Sequence, residues 1–208
     1  LIINIILLVA LIGVGIYFKD EIAKFYNSAS VELDKAIHSF EKSEFDSLVP
    51  LAKKEIVNPP PLKVGGSEKQ IFLSKSKIIE ETNFHRQAIG LPALKENSIL
   101  SLAAKAKADD MFKNQYFEHI SPSGIDPSAL VKNFGYDFII IGENLILGNF
   151  NSEEDVVDNW MASPAHKENI LEKRYSEIGV AIVKGSYKGE TVWIGVQEFG
   201  LPISACPQ

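Results

Sequence analysis

Residues 178–199 read IGVAIVKGSYKGETVWIGVQEF. Ile178 to Val183 and Val192 to Phe199 are rich in β-branched and aromatic residues, and the polar stretch Lys184 to Thr191 separates them. Two such runs around a polar turn predict neighbouring strands. Upstream, Ser152 followed by Glu153-Glu154-Asp155 predicts a helix start, with a capping hydroxyl and carboxylates at the positive helix end; Val156, Val157 and Trp160 follow. Phe138 to Ile141 and Leu145 to Leu147 read as further strand segments, with Gly142 and Asn144 suggesting a kink between them. Pro127 to Asn133 fits a short helix. Asn97 to Asn114 fits a long one with Leu100, Ala103, Ala104 and Met111 as its packing stripe. Ile71 to Ala88 reads as another, with Ile71, Ile78, Ile79 and Phe84 apolar, closed by Gly90 and Pro92. Helices first, then strands, with a helix between strand segments, define an α+β or layered α/β/α domain over residues 71–203.

Outside that domain the composition changes. The chain has 208 residues, 46% hydrophobic and 23% charged, with a net charge of −6 and a single cysteine, Cys206. These values exclude a disordered chain, an overall basic nucleic-acid binder, an intramolecular disulfide and a Cys-based zinc site. Residues 1–18, LIINIILLVALIGVGIYF, carry no charge. As a helix they rise about 27 Å, close to the hydrocarbon core of a bilayer, and predict an uncleaved transmembrane anchor. Across residues 19–48, Ile22, Tyr26, Ala29, Leu33, Ala36 and Phe40 alternate at spacings of four and three. That pattern predicts an amphipathic stalk helix, either packed on its own domain or self-associating. Residues 49–70 contain Asn58-Pro59-Pro60-Pro61 and Gly65-Gly66 and read as a linker. Residues 204–208 are a tail. The arrangement predicts a single-pass membrane protein.

Three places carry chemistry. His119 lies in FEHISPSG, on a loop just past the long helix. Glu143 lies inside the apolar run IIIGENLIL, where a carboxylate needs an exposed edge or a partner. His166 follows Ser163-Pro164-Ala165, a helix start that places the imidazole in the first turn, where the positive helix end favours its neutral form. Two histidines and one glutamate could form a cluster that binds zinc or another divalent ion. His38 and His85 read as solvated bystanders, and Ser74-Lys75-Ser76-Lys77 as a solvated helix entry despite its S-x-x-K spacing.

The succession HRQAIGLPAL, YFEHISPSG, IGENL, VVDNWMASPAHKENIL, EIGVAIV and VWIGVQEFG closely resembles the CAP (SCP-like) superfamily, in its prokaryotic branch. That superfamily includes cysteine-rich secretory, antigen 5 and pathogenesis-related proteins. The resemblance spans about residues 74–200. It implies an α/β/α sandwich with a large cleft whose floor carries two histidines and two acidic residues. His119, Glu143 and His166 match three of those positions. The segment that holds the second acid in eukaryotic members shrinks here to Met161-Ala162-Ser163-Pro164-Ala165, so Glu198 or Gln197 is the expected stand-in. The resemblance implies binding of a small molecule, a lipid or a divalent cation (zinc or calcium). The alternatives are a metal-dependent, peptidase-like hydrolase, in which Glu143 is a ligand or general base, and a non-catalytic envelope scaffold.

Overall fold

In a computed structural model of the chain, residues 56–67 and 71–205 are described. The anchor expected at 1–18, the stalk expected at 19–48 and Cys206 lie outside them. Among the described residues no helix is long and apolar enough to cross a membrane.

The elements are β1 (Ile56–Val57), β2 (Leu62–Lys63), α1 (Lys75–Ala88), β3 (Lys95–Glu96), α2 (Ser98–Asn114), α3 (Pro127–Asn133), β4 (Phe138–Gly148), α4 (Glu153–Ala162), α5 (Pro164–Ile170), β5 (Glu177–Tyr187) and β6 (Glu190–Pro202). Strand order is β1-β4-β6-β5-β3, with β2 also pairing with β4. β6 runs antiparallel to both β4 and β5, while the short strands β1, β2 and β3 join in parallel.

Both central strands are longer than the sequence implied. The turn expected at 184–191 shrinks to Lys188-Gly189, because Lys184 to Tyr187 continue pairing with Glu190 to Trp193. Lys188 and Gly189 both have positive φ, 51° and 89°, the conformation a two-residue hairpin requires. Nor does Gly142 kink β4. The strand is continuous there, and the glycine provides space: a Cβ would stand 2.2 Å from Tyr175 Oη and 2.6 Å from Asn169 Oδ1.

Side-chain alternation sorts the sheet into two faces. On one, Leu145, Leu147, Ile194, Val196 and Ala181 pack on Ala104, Ala108 and Met111 of α2. Nearby, Ile141 packs on Leu100 of α2 and Val131 of α3. Gly179 lets α2 approach, since a Cβ would lie 2.1 Å from the Leu100 carbonyl carbon. On the other face, Ile140, Ile146, Ile178, Val180 and Phe199 meet Ile78, Ile79, Val156, Val157, Trp160 and Ile170 of α1, α4 and α5. The result is the three-layer α/β/α sandwich. Phe84, one of the apolar residues of α1, is 64% exposed. The stripe runs Ile78, Ile79, Thr82, Arg86. Arg86 is buried and donates to the carbonyls of Pro92, Ile170, Glu172 and Tyr175.

The linker expected at 49–70 is the main correction. Two of its segments are strands: Ile56 and Val57 pair with Ile141 and Gly142, and Leu62 and Lys63 with Ile146 and Leu147. An extended, proline-stiffened backbone suits the edge of a sheet as well as it suits a spacer. The domain therefore begins before residue 71.

Candidate functional site

Glu143 and Glu198 stand directly opposite each other on β4 and β6. Both point to the α2 face. Gln197, the other expected stand-in, pairs with Asn144 one step along and points to the opposite face. His119 follows α2 and is held on its loop by Lys107, whose ammonium donates to the His119 carbonyl at 2.5 Å. His119 Nδ1 lies 2.5 Å from Glu143 Oε1, and Nε2 lies 2.5 Å from the Pro59 carbonyl oxygen. A carbonyl only accepts, so Nε2 carries a hydrogen, and a single proton joins Nδ1 to Glu143. Glu143 and Glu198 are wholly buried, His166 is 1% exposed, and the His119 side chain is 12% exposed.

His166 comes from α5. Ser163, expected as a backbone cap, instead bonds through Oγ to His166 Nδ1 at 2.8 Å. Burial first, and then the charge of His119, lower the His166 pKa to about 4, against a slight opposing pull from the Leu145 carbonyl. The imidazole is therefore neutral at pH 7, as expected, but burial rather than the helix end is the main cause. Burial also pushes the Glu198 carboxyl well above the usual range; the charge of Glu143 adds to this and Lys107 opposes it. Lys107 is itself 3% exposed. Burial lowers its pKa, against the pull of Glu143 and Glu198.

A second polar chain lies behind the sheet. Thr82 accepts from Gln197, Gln197 accepts from Asn144, and Asn144 also donates to the His166 carbonyl. Asn169 donates towards Asn144 Oδ1 and the backbone carbonyls of Glu143 and Val57, and accepts from Tyr175. These amides fix α5, and with it His166, against β4. Sequence reading alone assigns no role to Lys107, Asn169 or Thr82, and reads Asn144 only as part of a kink. His85, expected to be solvated, is half-buried and faces Asp158 at 3.5 Å.

Four buried polar atoms in the centre make no hydrogen bond of good geometry: Glu143 Oε2, both Glu198 oxygens and His166 Nε2. Their chemistry suits a divalent cation. Their placement does not, because among the described residues no three His, Cys, Asp or Glu side chains are grouped to hold one. The expected large cleft floored by these residues also differs from what is seen. A cavity of about 200 Å³ lined by Lys107, Asp110, Tyr116, Ser121 and Ser123 adjoins the His119 loop. A more open groove of about 500 Å³ lies elsewhere, along Leu102, Val180 and Ile182, and none of the four centre residues lines it.

A mixed sheet between two helical layers, with two histidines and two glutamates set around its central strands, defines a CAP-type domain. The chain belongs to the CAP, or cysteine-rich secretory protein, family, whose model matches residues 79–199. It is similar to the uncharacterized protein YkwD of Bacillus subtilis, 39% identical over 53% of this chain and 42% of that protein. It also resembles the uncharacterized membrane protein YlbC of the same organism, 24% identical over 73% of this chain and 44% of that protein. The chain thus spans less than half the length of these relatives. Among solved structures, an outer surface protein from Borrelia burgdorferi shares the fold, with a TM-score of 0.55 and 24% identity over 61% of this chain and 91% of that one.

Proposed function

We propose that this chain is a membrane-tethered, extracytoplasmic binding protein whose ligand docks at the centre formed by His119, Glu143, Glu198 and His166. The observation that carries the reading is the set of four buried polar atoms that make no hydrogen bond of good geometry. Each such atom costs about 1–3 kcal/mol when left unmet. A small ligand that brings hydrogen-bond donors or positive charge relieves that cost; an apolar one does not. A divalent ion is the simplest such ligand, and it requires the side chains to draw together. For the tether, the support is the uncharged stretch 1–18 and the membrane protein among the relatives.

The hydrolase reading has less support. Glu143, its expected ligand or general base, is wholly buried and already bonded to His119 through Oε1. Titration calorimetry with Zn²⁺, Ca²⁺ and Mg²⁺, beside mass spectrometry of co-purifying small molecules, tests the binding reading. Wild type should bind at least one of these species, and His166→Asn should lose it. Equal behaviour of the two proteins with every species moves the weight to a purely structural centre.

A further inference from the structure

Residues 58–61 cross directly over the centre. Pro59 is buried while Ile56, Pro60 and Lys63 on either side are exposed. Its carbonyl meets the Nε2–H of His119. On one flank, Val57 pairs with Gly142, and its carbonyl accepts from Asn169 Nδ2 at 2.8 Å. On the other, Leu62 and Lys63 pair with Ile146 and Leu147, and the Val64 amide donates to the Leu147 carbonyl at 2.9 Å. From Val57 to Leu62 is five steps, whereas from Gly142 to Ile146 is four. The extra residue, and three prolines without an N–H, keep the crossing itself out of the ladder.

Three features make this cover removable. It is held by two ladders of two residues each, a small fraction of the pairing between β4 and β6. Asn58 Oδ1 is buried there without a partner, so the closed position leaves a polar group unmet. Beneath it, Glu143 Oε2 belongs to the carboxylate that His119 already holds through Oε1, and it too makes no hydrogen bond of good geometry. We infer that residues 56–63 are a displaceable strap closing the His/Glu centre, and that a ligand reaches the centre only after Pro59 leaves His119. This inference rests on the binding reading and names what controls entry to that site.

Full-length protein carrying N58G, P59G, P60G and P61G keeps the length of the strap and loses its stiff, buried crossing. The rate at which diethyl pyrocarbonate labels His119, followed by peptide mass spectrometry with His85 as internal reference, reads the cover directly. His119 should react at least tenfold faster in the glycine variant than in wild type, with His85 unchanged. Equal His119 rates overturn the strap. If the glycine variant no longer melts cooperatively, Val64→Pro decides in its place, because it removes the amide donated to Leu147 and leaves residues 58–61 unchanged. Faster His119 labelling in Val64→Pro upholds the strap, and labelling at the wild-type rate overturns it. A Zn²⁺ titration of the same proteins separates the two readings. Fast labelling with no Zn²⁺ binding upholds the strap and counts against a cation site beneath it. Zn²⁺ binding tightened tenfold in the loosened protein upholds both.

Discussion

Glu198 and His166 respond to pH in opposite directions. Burial and the neighbouring Glu143 hold the Glu198 carboxyl above its ordinary range, so the folded chain keeps a proton that the unfolded chain releases. That contribution to stability is complete below the unfolded value, about 4.3, and is lost as pH rises towards the folded one. Glu198→Gln cannot ionise, so at pH 7.5 it should melt roughly 4 °C or more above wild type. The gain should close near pH 4; superimposable melting profiles would refute a protonated Glu198. For His166 the folded value, about 4, lies below the unfolded one. Its contribution is present above about pH 6.5 and is lost as pH falls, by roughly 3 kcal/mol at pH 4. His166→Asn should lack that slope in urea titrations across the window. Arg86 makes a third test. Arg86→Met leaves the carbonyls of Pro92, Ile170, Glu172 and Tyr175 without their donor. Equilibrium urea unfolding should show a loss of about 3–5 kcal/mol, since each buried acceptor left unmet costs about 1–3 kcal/mol.

At the scale of elements, α2 and β5 fit through one missing side chain. The Gly179→Ala methyl would fall 2.1 Å from the Leu100 carbonyl carbon, so α2 must shift. Guanidinium unfolding should show a loss of about 1–3 kcal/mol, the usual range for overpacking. An unchanged midpoint would mean that the helix yields freely. The helix stripes themselves are legible in the sequence, because Leu100, Ala103, Ala104 and Met111 recur at helical spacing and all are buried. His119 and Glu143, which the fold brings together, stand out in the sequence by their motifs. Lys107 and Arg86 are harder to read, because a cation in a helix is ordinarily taken as solvated. Each falls on the buried stripe of its helix, where a cation must find acceptors to stay. The strap is not legible: strands of two residues have no periodicity, and Asn58-Pro59-Pro60-Pro61 reads identically as a spacer. Which of Glu198 and Gln197 joins Glu143 is decided by register, a quantity that spacing along one strand does not contain.

For the whole molecule, the proposed topology places the CAP domain outside the cytoplasm behind an anchor at 1–18. Protease added to intact cells should remove the domain, and protection lasting until lysis would refute that orientation. The strap bears on a different property, the order in which the fold is completed. Ile56 pairs with Ile141, 85 positions further along (141 − 56), while the β5–β6 hairpin closes over two residues. Pairs so distant in sequence form late, because a long loop must close before they gain anything. The strap is made early in synthesis and has nothing to lie against until His119 and β4 have been made as well. During that interval its prolines, which cannot donate to a growing ladder, keep it from adding prematurely to another strand. Pulse-labelled hydrogen exchange during refolding should find the β4–β6 and β5–β6 amides protected first, and those of Val57, Leu62 and Val64 last.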